Sequence, residues 1–192
     1  PTTAAHMAED MEGRIDAIVD GGPCSVGVES TIVDLTETPP RLLRPGGITL
    51  EQLESVLGRV EVDQAVTRLM SAGEKPRAPG MKYRHYAPKA PVTVVAGPPE
   101  RTAEHIARSL TPGDGVICFD EFAGEFPGCQ IQRMGPAGDK SAQARHIFDA
   151  LRAFDHTEVP RIWAQCPDPS GLGLAINNRL NKAAGFHIVE VK

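Results

Sequence analysis

The sequence predicts an α/β protein in three parts: a mixed unit over residues 1–62, a connector over 63–90, and a small parallel-sheet domain over 91–192. Three observations lead there. Beyond residue 91, short β-branched runs alternate with helical patterns of about ten to fifteen residues, the order expected of a parallel or mostly parallel sheet. The first 62 residues carry shorter strand and helix signals, punctuated by glycine turns. Between them lies a stretch rich in large basic and aromatic side chains: Arg77, Lys82, Tyr83, Arg84, His85, Tyr86 and Lys89, framed by Pro79 and Pro88. The chain has two tyrosines, and both are there. Ordinary linkers are Gly/Ser-rich or acidic. Two readings stay open from composition alone, a basic connector packed on its neighbours or a segment that contacts an anionic, flat ligand such as a nucleotide.

Each element has its own signal. Thr2 or Thr3 can cap a first helix running to about Glu12. Residues 15–19 are a short apolar run before Asp20-Gly21-Gly22, which predicts a strand and a turn. Residues 25–35 read as a strand kinked near Glu29-Ser30, and residues 41–44 as another, closed by Pro45-Gly46-Gly47. Thr49 and Gln52 have capping-box spacing, and Leu50, Leu53, Val56 and Leu57 give a helical apolar face. Val60 and Val62 end the unit as a brief strand. Past the connector, strands are expected at 92–95, 116–119, 130–134, 161–165 and 188–191. Helices are expected from Pro98-Pro99 to about Leu110, over 141–154 and over 172–184, the last ended by Gly185 in a left-handed cap.

Composition narrows the function classes. Hydrophobic residues are 41% and charged residues 23%, enough for a globular core. A net charge of −5 argues against a nucleic-acid-coating surface, and 5% aromatics leave no base-stacking platform. Cys24, Cys118, Cys129 and Cys166 are scattered without a Cys-x-x-Cys pair, so neither a zinc site nor a disulfide framework is expected, and a reducing cytoplasm is. No run approaches 18 apolar residues and no signal peptide opens the chain. The start at Pro1 predicts a piece of a longer polypeptide.

Four motifs carry possible chemistry. In Val26-Gly27-Val28-Glu29-Ser30-Thr31-Ile32-Val33-Asp34 two hydroxyls sit inside an apolar strand, either as substrate contacts beside Glu29 or bonded to their own sheet; no Gly-x-Ser-x-Gly elbow supports a serine hydrolase. Arg44-Pro45-Gly46-Gly47 sets a guanidinium beside a turn with free backbone N–H groups near a helix start, a possible phosphate site or a surface arginine before a tight turn. Ser170-Gly171-Leu172-Gly173 opens a helix without dinucleotide spacing; it is read as a tight turn with close helix–sheet packing, or as a vestigial ligand site. The connector is the fourth. His6, His105, His146, His156 and His187 have no partners at metal-ligand spacing.

Together, Pro1-Thr2-Thr3, the Gly21-to-Asp34 segment, Arg44-Pro45-Gly46-Gly47-Ile48 and Pro79-Gly80-Met81-Lys82-Tyr83-Arg84-His85-Tyr86-Ala87-Pro88 resemble the long form of threonylcarbamoyl-AMP synthase. That family joins a YrdC-type synthase domain to an added C-terminal domain, whose end the segments 171–185 and 189–191 resemble. The resemblance implies the C-terminal part of a YrdC-like α/β synthase domain, a connector that lids the nucleotide site, and a Rossmann-like domain. It implies synthesis of threonylcarbamoyl-AMP and pyrophosphate from L-threonine, bicarbonate and ATP, with Mg²⁺ accompanying ATP, for tRNA modification in the cytoplasm. Ser30 would hold threonine, Arg44 and Tyr83 would bind ATP, and Thr31, Lys82 and His85 are weaker candidates without a role. No acid–base dyad is required and none is expected. Tyr83 would act as the connector folds back over the pocket. The family's synthase domain extends far upstream of Pro1, so this chain alone is expected to be inactive and its longer parent active. Partners beyond the substrates would be tRNA-modification proteins, indirectly, with no membrane and no strong direct nucleic-acid contact. A non-catalytic binding module of that machinery is the alternative, and an RNA-binding protein, disfavoured by the acidic charge, is a third reading.

Overall fold

A computed structural model describes residues 1–71, 73–79, 81 and 86–192. The first unit begins with α1 (Ala4–Met11), capped as expected by the Thr3 hydroxyl accepting the His6 amide. Its sheet has three strands, β1 (Ile32–Asp34), β2 (Arg41–Arg44) and β3 (Glu61–Val62), in that order. β1 runs antiparallel to β2, and β2 parallel to β3. Between β2 and β3, α2 (Leu50–Leu57) starts with both bonds of the capping box formed between Thr49 and Gln52. A helix the sequence did not announce, α3 (Gln64–Thr67), follows β3 with Asp63 as its cap.

Two strand expectations fail here. Residues 15–19 form no strand: Ile15 and Ile18 are about two-fifths exposed and Val19 is 97% exposed. An apolar run becomes a strand only where a neighbour takes up its backbone hydrogen bonds, and no described strand pairs with it. The strand expected over 25–35 shrinks to β1. Its earlier residues turn at Gly27 (φ +84°) and then lie against the 46–48 turn, which takes the place of a ladder.

The second unit is the parallel sheet predicted from the alternating pattern. β4 (Val92–Ala96), β5 (Gly115–Cys118), β6 (Gln130–Arg133), β7 (Ile162–Cys166) and β8 (Ile188–Glu190) stand in the order β6-β5-β7-β4-β8. Every pairing is parallel. α4 (Pro99–Ser109) covers one face, where Val95, Val116 and Cys118 meet Ala103 and Ile106. α5 (Lys140–Ala153) and α6 (Gly173–Ala183) cover the other, packing Ile147, Leu151, Ile176 and Leu180 on Val92, Val94, Ile117 and Ile162. That alternation of neighbouring residues between faces is the period-2 signature of a sheet buried on both sides.

At the carboxyl end of this sheet, where open α/β sheets usually take ligands, the crevice is filled. The fully buried Gln165 accepts the Phe119 amide at 2.9 Å and donates to Pro99 O (2.9 Å) and Thr102 Oγ1 (2.8 Å). Val191 closes over the β4–α4 turn, so near that a Cβ on Gly97 would come within 2.3 Å of its carbonyl oxygen. Gly173, the first residue of α6, likewise serves packing, since a Cβ there would lie 1.9 Å from Asp168 O, whereas Gly171 serves the turn with φ +55° and nothing within 4 Å. The domain turns a different surface, the outer face of α6, toward the first unit.

Candidate functional site

The site grows from the meeting of two backbone segments. Residues 29–31 lie across the turn 45–48, and the glycines make that approach possible. A Cβ on Gly46 would stand 2.2 Å from Glu29 O and 2.6 Å from Thr31 N. Gly47 N–H donates to Glu29 O at 3.2 Å, and Thr31 Oγ1 both donates to Ile48 O (2.6 Å) and accepts Ile48 N–H (3.0 Å). Thr31 is thus spent on holding the turn. So are the amides: Gly47 and Ile48 are bonded to the strand, and Thr49 N–H goes to the Gln52 side chain. The free-amide phosphate cradle expected at this turn is absent at these three positions.

Arg44, at the end of β2, reaches across the same junction. Its Nε donates to Ser30 O at 3.0 Å and an Nη to Ser30 Oγ at 3.0 Å. A serine oxygen that accepts a guanidinium N–H turns its own O–H outward as a donor, and the exposed Ser30 presents it to solvent. The two residues singled out in sequence, Ser30 and Arg44, are therefore brought together. Tyr83, with Lys82 and His85, lies outside the described residues.

Sequence reasoning gave no site role to Glu29, Tyr86, Arg179 or Lys182. Glu29 takes a hydrogen bond from the Tyr86 hydroxyl on one carboxylate oxygen and two from Arg179 on the other, at 2.9 and 2.5 Å. Arg179 also donates to Pro45 O at 2.6 Å. Burial pushes the Glu29 carboxyl up, but the Arg179 charge and the Tyr86 and Arg179 hydrogen bonds outweigh it and hold it below the ordinary glutamate value. With both oxygens engaged and the group ionised, Glu29 is a structural anion rather than a proton shuttle. Burial, then the Glu29 hydrogen bond, raises the Tyr86 phenol to about 12. Lys182, one turn beyond Arg179 and 6% exposed, is lowered to about 8 by burial and by the Arg179 charge. One signal was legible: Arg179 interrupts the apolar stripe of Ile176, Leu180 and Ala183, where a charge needs a buried partner.

The connector is rooted at both ends. Arg77 pairs with Asp34 and, at 2.6 Å, with Glu37. At the other end Tyr86 stacks on Phe148, ring centroids 4.8 Å apart, and Lys89 N–H donates to Asp155 at 3.2 Å. Beside Glu29 a cleft of about 220 Å³ opens between the units, walled by Val28, Glu29, Tyr86 and Phe148. A larger cavity of about 360 Å³ lies at the Arg77 root. Its walls include the paired charges Arg68 with Glu74 at 2.6 Å and Arg41 with Asp63 at 3.9 Å.

Further contacts fix the units against each other. Arg152 of α5 holds Glu9 and Asp10 of α1, both at 2.6 Å, and Asn178 Nδ2 donates to Val66 O at 2.8 Å. Gly27 sits so close to α5 that a Cβ would meet Ala144 O at 2.2 Å. The four cysteines are free thiols. Among the described residues no three His, Cys, Asp or Glu side chains gather as a metal site, and no helix is long and apolar enough to cross a membrane.

Comparison with known proteins places this architecture. A family model described as "Threonylcarbamoyl-AMP synthase, C-terminal domain" matches residues 48–185, and one described as "Telomere recombination" matches residues 1–46. Threonylcarbamoyl-AMP synthase of Bacillus subtilis is 44% identical over 98% of this chain and 54% of its own length. That of Pyrococcus abyssi is 44% identical over 100% of this chain and 56% of its own. The chain thus spans about half the length of the curated relatives it matches. Among solved structures, P. abyssi Sua5 complexed with L-threonine superposes with a TM-score of 0.80 at 40% identity, over 100% of this chain and 56% of that one. A double variant of the same protein gives 0.89 at 42% identity, over 100% of this chain and 55% of that one.

Proposed function

The chain belongs to the threonylcarbamoyl-AMP synthase family, and from that premise we propose that the full-length protein makes threonylcarbamoyl-AMP from L-threonine, bicarbonate and ATP. The observation that carries the reading is the Arg44–Ser30 pair, a guanidinium that orients an outward hydroxyl at the mouth of the interdomain junction. The similarity to a structure complexed with L-threonine supports the choice of amino acid.

In this reading the Ser30 hydroxyl donates to the threonine substrate, and Arg44 faces the nucleotide phosphates with the part of its fork not used on Ser30. The threonine amine first takes up bicarbonate, forming a carbamate and releasing water. A carbamate oxygen then attacks the α-phosphorus of Mg–ATP; the P–O bond to the leaving pyrophosphate breaks as the new one forms. Such transfers are catalysed chiefly by positioning and by neutralising charge. In such a site the half-buried Glu29 carboxylate, already paired with Arg179 and Tyr86, needs no proton-transfer role. In this reading the connector, rooted at Arg77 and Tyr86, would cover the nucleotide, with Tyr83 as the contact. Cytoplasmic tRNA modification is where such a product would be used.

The 192 residues alone are proposed to be inactive. Their first unit leaves Leu35, Val56 and Leu57 exposed, at 65, 82 and 38%, and its core is the small cluster of Leu43, Ala65, Ala78 and Met81. The parts of the relatives that this chain does not span would cover that surface and complete the pocket. Pyrophosphate release by the full-length protein, measured with and without threonine and bicarbonate, tests the function. Release that requires both substrates is expected. Release independent of threonine, or none, overturns it.

A further inference from the structure

The C-terminal domain brings to the site a buried α6 side chain that the reaction chemistry above leaves unused. Arg179 is 1% exposed. Through Nε and Nη2 it grips the Glu29 carboxylate, and through Nη1 it holds the Pro45 carbonyl at 2.6 Å. Glu29 immediately precedes Ser30, and Pro45 immediately follows Arg44. One rigid guanidinium therefore ties the side chain of the residue before Ser30 to the carbonyl of the residue after Arg44.

We propose that Arg179 is a positioning residue for the synthase site, supplied by the other domain, which sets the separation of Ser30 and Arg44. The inference rests on the function proposed above and deepens it: the C-terminal domain becomes a working part of the threonine–nucleotide site. Several observations converge. The planar guanidinium presents its donors in one rigid fork, so it holds the carboxylate and the carbonyl at a fixed separation that an ammonium on a flexible stem does not set. The pair is desolvated on the arginine side, so its removal strands the Glu29 charge with Tyr86 as its remaining side-chain donor among the described bonds. The same carboxylate joins the connector root to α6, so the connector, the 29–31 segment and the C-terminal domain meet at one anion. The carboxyl-end crevice of the parallel sheet, filled by Gln165 and Val191, leaves the α6 face as this domain's contribution.

The test uses the full-length protein and steady-state pyrophosphate release. R179M is expected to raise the KM for threonine and lower kcat, reducing kcat/KM about 10- to 100-fold, the scale of a misplacement near 1 Å. R179K should recover part of this, and E29Q should lose a similar amount. The double variant R179M/E29Q should lose little more than either single variant, because both act through one contact. A folded R179M with wild-type kcat and KM overturns the inference. So does a loss that merely tracks the unfolded fraction by circular dichroism with KM unchanged. Should R179M fail to fold, R179K and E29Q are read against the same two criteria. If the wild-type protein releases no pyrophosphate, the proposed function fails and this inference with it; if it does and the variants match it, the inference alone fails.

Discussion

Arg44→Ala in the full-length protein is expected to reduce kcat/KM for ATP by about 100-fold, the usual scale for removing one preorganised charge from such a site. Two losses combine. The phosphates lose a guanidinium, and Ser30 loses the donor that fixes both its carbonyl and its hydroxyl, each at 3.0 Å. Arg44→Lys should restore charge without the fork and so recover only part of the rate, with the KM for threonine still raised. Kinetics in which ATP and threonine are varied separately would check this. An alanine variant with an unchanged KM for both substrates would remove Arg44 from the site.

Gly46→Ala is expected to destabilise the first unit strongly. Its methyl group would fall 2.2 Å from Glu29 O and 2.6 Å from Ser30 C, both backbone atoms that no rotamer change can move. The 29–31 segment must therefore separate from the turn, breaking the Gly47–Glu29 and Thr31–Ile48 bonds together. Overpacking of this kind costs about 1–3 kcal/mol, and the lost bonds push it to the upper end. Urea denaturation with Gly138→Ala as control would show it. Gly138 has nothing within 4 Å of its would-be Cβ, so that control should stay within about 0.5 kcal/mol of wild type. Equal midpoints for both variants would contradict the close approach.

The local features of this fold were legible because their causes are local. The Thr49–Gln52 box, the Thr3 cap and the positive φ of Gly185 at the end of α6 all depend on residues within a few positions. The parallel sheet announced itself through alternating strand and helix patterns. What the sequence hid is long-range. Arg179 meets Glu29 across 150 positions, and Tyr86 meets Glu29 across 57. No periodicity links such residues; only the charge interrupting the α6 stripe hinted at one of them. The opposite error came from residues 15–19, where an apolar run lacked a neighbouring strand to make it one. At the Arg-Pro-Gly-Gly turn, residue type was read correctly and its use was not. The glycines admit a neighbouring backbone, and the amides thought free are bonded to it.

A site built from both units must respond to its ligands in both. Amide hydrogen exchange on the full-length protein, with and without threonine and a non-hydrolysable ATP analogue, measures this. Residues 29–31 and 44–48 are expected to gain protection together with α6 around Arg179. Protection confined to the first unit, with α6 unchanged, would contradict it.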